Sequence, residues 1–334
     1  MKKIFLIGLA ATAMLASCSN DETVEMAQSK AISFSNAFVN NGTRSIVDPS
    51  FTTTSLENFA VYGFTQAGQI FDGTTVSAPG WTYSPQQYWV AGNTYTFGAI
   101  APAAQSANVS NVALADGKVG MVVNFSNNGT VDLLHAAPTA IECNDAFIAS
   151  LTKVGMTFNH QLSKVKFSFA NEVGEGYNVK VTNVKITNAK STGKLTIGAT
   201  NAWSEQGGSV ELAFGDAETD VANSEIIANG GAMESYKEML MIPTDNTAEY
   251  TVTFTVELFQ GEVSLGEFDH TTTIKNVELK LGYCYDFKAT LTHENIVDPE
   301  NPLQPIEFTV DGITAWNPTE SDQTLDVPTT QSGN

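Results

Sequence analysis

Positive charge and cysteine are what this chain has least of. Its 334 residues include one arginine, Arg44, and 16 basic residues against 36 acidic ones, for a formal net charge of -20. Such an acidic surface repels phosphate backbones and anionic headgroups, which excludes nucleic acid as a partner. Three cysteines, Cys18, Cys143 and Cys284, are too few for a disulfide scaffold, and the last two are expected to be unpaired. His135, His160, His270 and His293 lie far apart, with no HExxH pair and no CxxC, so neither a metal nor another cofactor is expected. No GxGxxG, phosphate loop or GxSxG elbow occurs. Ser150 and Lys153 have the spacing of a serine–lysine acylase, but the SDN and KTG companions of that chemistry are missing. An enzyme is not expected. Long helical patterns are missing too, while 38 Thr and 26 Asn point to β structure.

What is present begins with a leader. Lys2 and Lys3 precede an apolar run, Ile4 to Ala16, that is too short for a permanent membrane span and ends in Leu15-Ala16-Ser17-Cys18. Residues 1–17 read as a lipoprotein signal peptide. Acyl chains on Cys18, at about 0.8 kcal/mol per buried CH₂, would anchor the rest in an outer membrane. Ser19-Asn20-Asp21-Glu22 opens a polar tether, 18–30, of the kind that leads lipoproteins to the cell surface.

Period-two patterns follow. AISFSNAF places Ile32, Phe34 and Phe38 on one parity, and Asn40-Asn41-Gly42-Thr43-Arg44 is a turn-rich break. Residues 59–65, 92–102, 118–125 and 130–136 are strand-like; Asp145 to Leu151 has room for one or two helical turns. The clearest strand is 249–260, with Tyr250, Val252, Phe254, Val256 and Leu258 on one face and its hairpin partner expected across Gly261 to Gly266. YCYDFKATL (283–291) and IEFTVDGI (306–313) repeat the alternation. Many strands without intervening helices predict an all-β fold of sandwiches. A rise in acidic residues and a new strand series near residue 154 predict an N-terminal domain, 31–153, a C-terminal domain, 154–316, and an acidic, polar tail, 317–334. Four aromatic residues, Trp81, Tyr83, Tyr88 and Trp89, form a candidate sugar-binding patch.

Several segments resemble the fimbrillin-like surface proteins of Bacteroidetes. FNHQLSKVKFSF (158–169) is similar to that family's His-x-Leu-small-Lys segment, and TYTFGAIAP (94–102) to its aromatic strand entering a proline turn. VDLLHA (131–136) is similar to an Asp-Leu-Leu-aromatic-Ala segment, with His135 where an aromatic residue is usual. MLMIP (239–243), GYCYDFKATLT (282–292) and ITAW (313–316) follow in the family's order. The resemblance implies two tandem transthyretin-like β-sandwich domains in a fimbrial subunit or accessory adhesin. It also implies assembly with other fimbrial subunits, or with itself, by strand exchange. In that scheme a cut after Arg44 removes the Ile32/Phe34/Phe38 strand, and a donor from a neighbour fills the groove. Two donor segments are candidates, Ile306/Phe308/Val310 and Leu325/Val327. The alternative is a monomeric glycan-binding surface lipoprotein.

Overall fold

Alternating apolar and polar residues form strands through most of the chain, and their burial follows the alternation. The computed structural model describes residues 30–39, 56–103, 107–215, 226–234, 237–297 and 305–315. The described first half runs β1 (Phe34–Val39), β2 (Asn58–Thr65), β3 (Gly68–Ser77), β4 (Asn93–Ala101), β5 (Ala107–Ala115), β6 (Lys118–Ser126), β7 (Leu134–Ala136), β8 (Ile141–Cys143) and β9 (Val154–His160). The second half adds β10 (Ser163–Asn171), β11 (Tyr177–Ala189), β12 (Thr192–Ile197), β13 (Ala202–Gly207), β14 (Val210–Ala213), β15 (Ala232–Glu234) and β16 (Met239–Met241). It ends in β17 (Tyr250–Gln260), β18 (Val263–Ile274), β19 (Tyr283–Leu291) and β20 (Phe308–Ala315). Helix is confined to Asp145–Ala149 and His293–Ile296 among the described residues.

Turn chemistry fixes the hairpins. Asp116 and Gly117 join β5 to β6 with φ of 51° and 72°, the two positive angles that a type I′ turn requires. The β17–β18 turn is tighter than the sequence suggests. It closes at Gly261-Glu262, and Gly266 lies within β18, opposite Leu258 at a register shift. A local bulge needs the φ of 141° that glycine supplies there.

Four sheets result. The first has the order β1-β9-β7-β4-β2-β3, with β8 also on β4, and the second β13-β12-β6-β5. The third is β15-β10-β19-β20, with β16 also on β10, and the fourth β14-β11-β17-β18. The third and fourth sheets share a core in which Val165, Phe167 and Phe287 meet Val181, Val252 and Phe254. One face of the first sheet packs on the second through Tyr62, Ile100, Val123 and Leu195. Its other face carries an aromatic core containing Ile32, Phe34, Phe59, Phe97 and Phe158. The fold is all-β and sandwich-like.

The strand that opens after residue 153 does not join the later sheets. Strand β9 pairs with β1 and β7, and β12 returns to pair with β6 over Thr192↔Ser126 to Ile197↔Met121. Both follow from burial. Val154, Met156 and Phe158 complete the aromatic core, while Leu195 and Ile197 lie beside their ladder partners Val123 and Met121 in the second core.

Candidate functional site

Among the described residues strand β1 is an edge strand, and its one ladder neighbour is β9, which runs parallel to it. Just before it, Lys30 to Ile32 pair with Gln87 to Trp89. Ile32 N–H donates to the Gln87 carbonyl at 2.8 Å, and Trp89 N–H to the Lys30 carbonyl at 2.8 Å. The segment then changes partner, and the Ser33 carbonyl accepts from Val154 N–H at 2.8 Å.

At the change of partner the Ile32 carbonyl is held by two side chains. The Tyr83 hydroxyl donates to it at 2.7 Å and the Gln86 amide at 3.0 Å, and Gln86 also donates to the Tyr83 oxygen at 2.7 Å. Burial pushes the Tyr83 phenol up to about 12, so it stays a donor through the physiological range. Ile32 and Phe34 are 0% and 1% exposed. The Phe34 ring meets Phe59, Phe71, Tyr83 and Phe97 edge-on, at centroid distances of 5.7, 5.8, 5.6 and 6.0 Å. This is a groove built for one aliphatic and one aromatic side chain, with a clamp on the backbone between them.

Ile32 and Phe34 sit together as the alternation implies. An irregularity between Ser35 and Phe38 then sets Phe38 beside Thr157 and Val39 beside Phe158, so the two-residue rhythm is not carried to Phe38 in the register. The Phe38 side chain lies outside the described residues, as do Cys18, Arg44, Leu325 and Val327. Ile306 precedes β20, and Phe308 and Val310 lie on it, at an edge of the third sheet. Strand β20 is an edge strand paired antiparallel to β19, and Ile306 is buried. Phe308 packs on Phe167, Phe169 and Phe254 at 5.1, 5.7 and 5.9 Å. Tyr83 and Gln86 were not singled out as anchors from the sequence; aromatic enrichment over 81–89 was the only signal pointing to that segment.

The candidate sugar patch is dispersed. Trp89 lies in the core against Tyr95 and Phe147, Trp81 packs on Phe59, and Tyr83 clamps Ile32; only Tyr88 is exposed. His160 Nδ1 lies 2.5 Å from Asp132 Oδ2, so the motif segments 131–136 and 158–169 meet in a buried pair. His135 is held neutral by burial, its pKa lowered to about 4. Cys143 and Cys284 are free thiols. Ser150 Oγ donates to the Ala146 carbonyl at 3.1 Å, a local helix-end bond, and Lys153 is exposed.

These features define a structural β protein with a strand-filled groove. The family model described as Fimbrillin-like matches residues 43–310, and the chain belongs to that family. Membership assigns it a non-enzymatic role among fimbrial and adhesin proteins of the cell surface. A fimbrial protein from Bacteroides vulgatus is similar in structure, with a TM-score of 0.56 at 15% identity over 86% of this chain and 99% of that one. That likeness shows the fold. A candidate cell adhesion protein from Bacteroides uniformis aligns at 16% identity over 86% and 98% of the two chains, with a TM-score of 0.45. The fimbrial anchor protein Mfa2 from Porphyromonas gingivalis aligns at 11% identity over 83% and 94%, with a TM-score of 0.38. No curated protein sequence matches the chain.

Proposed function

We propose that the chain is a fimbrial subunit or accessory adhesin, held as a precursor by lipid on Cys18 in the outer membrane, and that it assembles by strand exchange at the β1 groove. The observation that carries this reading is that β1 has one ladder neighbour, yet the segment leading into it buries Ile32 and Phe34 completely. Release of this segment breaks the β9 ladder and the short pairing of Lys30 to Ile32 with Gln87 to Trp89. Its departure uncovers an aromatic pocket and leaves the β9 backbone groups and the Tyr83–Gln86 clamp without their partner. An incoming extended segment restores both the ladder and the apolar contacts.

Arg44 is the point of release in this reading, because a cut there separates the Ile32/Phe34 segment from the body by a single bond. The reading includes two tandem transthyretin-like bodies. In this reading the boundary falls near residue 153, with β9 paired in the first sheet and β12 paired back onto β6. Digestion of folded protein with an arginine-specific protease tests the release. One cut after Arg44 is expected, with the body remaining folded and residues 18–44 exchangeable. A chain that stays intact under conditions that cleave an unfolded control would remove the reading.

A further inference from the structure

We infer that the open groove is filled by a strand of a different protein rather than by a second copy of this chain, and that this strand carries an aliphatic residue followed two positions later by an aromatic one. The inference rests on the strand-release reading above and goes beyond it by naming the occupant.

Two parts of the groove do different work. The Tyr83 hydroxyl and Gln86 amide bind a backbone carbonyl, and β9 and the 87–89 segment bind backbone groups, so these contacts accept any extended sequence. Selection falls to the two buried positions. One takes Ile32, and the other takes Phe34 between four aromatic rings. An occupant without an aromatic residue at the second position leaves those four ring edges facing a void, which removes most of the packing.

This chain has no uncommitted segment of that pattern. Ile306-Glu307-Phe308 has it, but this segment already fills its own body. Phe308 lies on three phenylalanine rings, Ile306 is buried, and the Ile306 carbonyl accepts from Thr272 Oγ1 at 2.8 Å. A copy that lent this strand would open its own second core as it closed a neighbour's first. The number of open grooves would not fall, and apolar burial would be exchanged rather than gained. Val165-Lys166-Phe167 and Val252-Thr253-Phe254 lie in interior strands with neighbours on both sides, and Leu212-Ala213-Phe214, at edge strand β14, has both apolar side chains fully buried, Phe214 against Phe167 at 4.7 Å.

The stretches outside the described residues offer nothing better. After Arg44 their aromatic residues are Phe51, Tyr236 and Trp316, preceded two positions earlier by Pro49, Glu234 and Thr314. The tail carries Leu325-Asp326-Val327, with no aromatic residue beyond Trp316. A groove that demands an aromatic residue, in a chain whose matching strands are all in use, calls for a heterotypic donor. That places the chain at a junction with another subunit rather than along a homopolymer.

The test uses the full chain cut after Arg44, with labelled peptides and a size measurement on the cut protein alone. A peptide of residues 30–39 is expected to bind. The same peptide with Phe34→Ala should bind at least about a hundredfold more weakly, the low end of what a buried Phe-to-Ala change costs. A peptide of residues 322–330 should not compete, and the cut protein should sediment as a monomer at every concentration. Polymers formed by the cut protein alone, or equal binding of the 30–39 and 322–330 peptides, would overturn the inference and leave strand release standing. Failure of the 30–39 peptide to bind would instead bring down the release reading, and this inference with it.

Discussion

Phe34→Ala probes whether β1 is held mainly by one side chain and whether it opens apart from the body. The Phe34 ring is 1% exposed and touches four aromatic rings within 6.0 Å. Truncating a buried phenylalanine costs about 3–5 kcal/mol with the loss of its ring contacts included, so about 4 kcal/mol is the working figure. The change lowers the free energy of every opening that frees Phe34 and leaves untouched an opening confined to another sheet in which Phe34 stays packed. At about 1.4 kcal/mol per decade, protection of the Val154 amide, which donates to the Ser33 carbonyl, should fall by about a thousandfold. Amides of β17, which lies between β11 and β18 in another sheet, should keep theirs. Native-state hydrogen exchange reads both sites in one experiment. A fall below about tenfold at Val154 would mean that Phe34 does not hold the strand. Equal falls at Val154 and in β17 would mean that β1 is no separate unit.

His135→Phe should flatten the acid side of the stability profile. His135 has its folded pKa lowered to about 4 from about 6.5, so the unfolded chain binds the extra proton between those values. Its contribution is fully present above pH 6.5 and is lost as pH falls towards 4. About 3 kcal/mol is at stake, read as the difference between wild-type and variant denaturant midpoints at pH 7 and pH 4. Parallel profiles would contradict the buried neutral imidazole. His160→Ala should cost about 1–2 kcal/mol by leaving half-buried Asp132 without its imidazole partner, with no bound zinc lost; stoichiometric zinc that vanished in the variant would overturn a structural role. Metabolic labelling with a fatty-acid analogue should mark the wild type and spare Cys18→Ala, and equal labelling would exclude lipidation at that residue.

The parts of the fold legible in the sequence were those governed by local alternation. Tyr250 to Leu258 read as one buried face and are one, because an antiparallel strand with one wet face writes its burial at every second residue. Ile32 and Phe34 were legible for the same reason. Three things were not. The one-residue irregularity before Phe38 leaves no trace in a hydrophobic pattern, since its cause is the fit of β1 against β9. The Tyr83–Gln86 clamp joins residues about fifty positions from Ile32, and only the tertiary path of the chain brings them there. Strand β13, Ala202–Gly207, has little alternation to read, because it is an edge strand that buries no residue fully.

The pairing of β12 and β13 in one sheet with β6 and β5 bears on how the groove would work in the proposed exchange. Removing an edge strand from a small sandwich would ordinarily loosen both faces of its sheet. Here the face opposite the groove is closed by a segment contributed from the second half. Leu195 and Ile197 are buried beside Val123 and Met121, and the Trp203 indole N–H donates to the Gln161 carbonyl at 2.8 Å. A Cβ added at Gly193 would lie 2.9 Å from the Trp203 ring, so that ring is packed directly on the β12 backbone. Loss of β1 therefore uncovers the aromatic core alone, while the other face of the first sheet keeps its cover. The rings of Phe59, Phe71 and Phe97 and the Tyr83 hydroxyl stay on strands and turns that do not depend on β1 for their ladder. On the proposed strand exchange, an incoming strand would meet a pocket that is already shaped, and the ordering cost of binding would fall on the donor rather than on the protein that receives it.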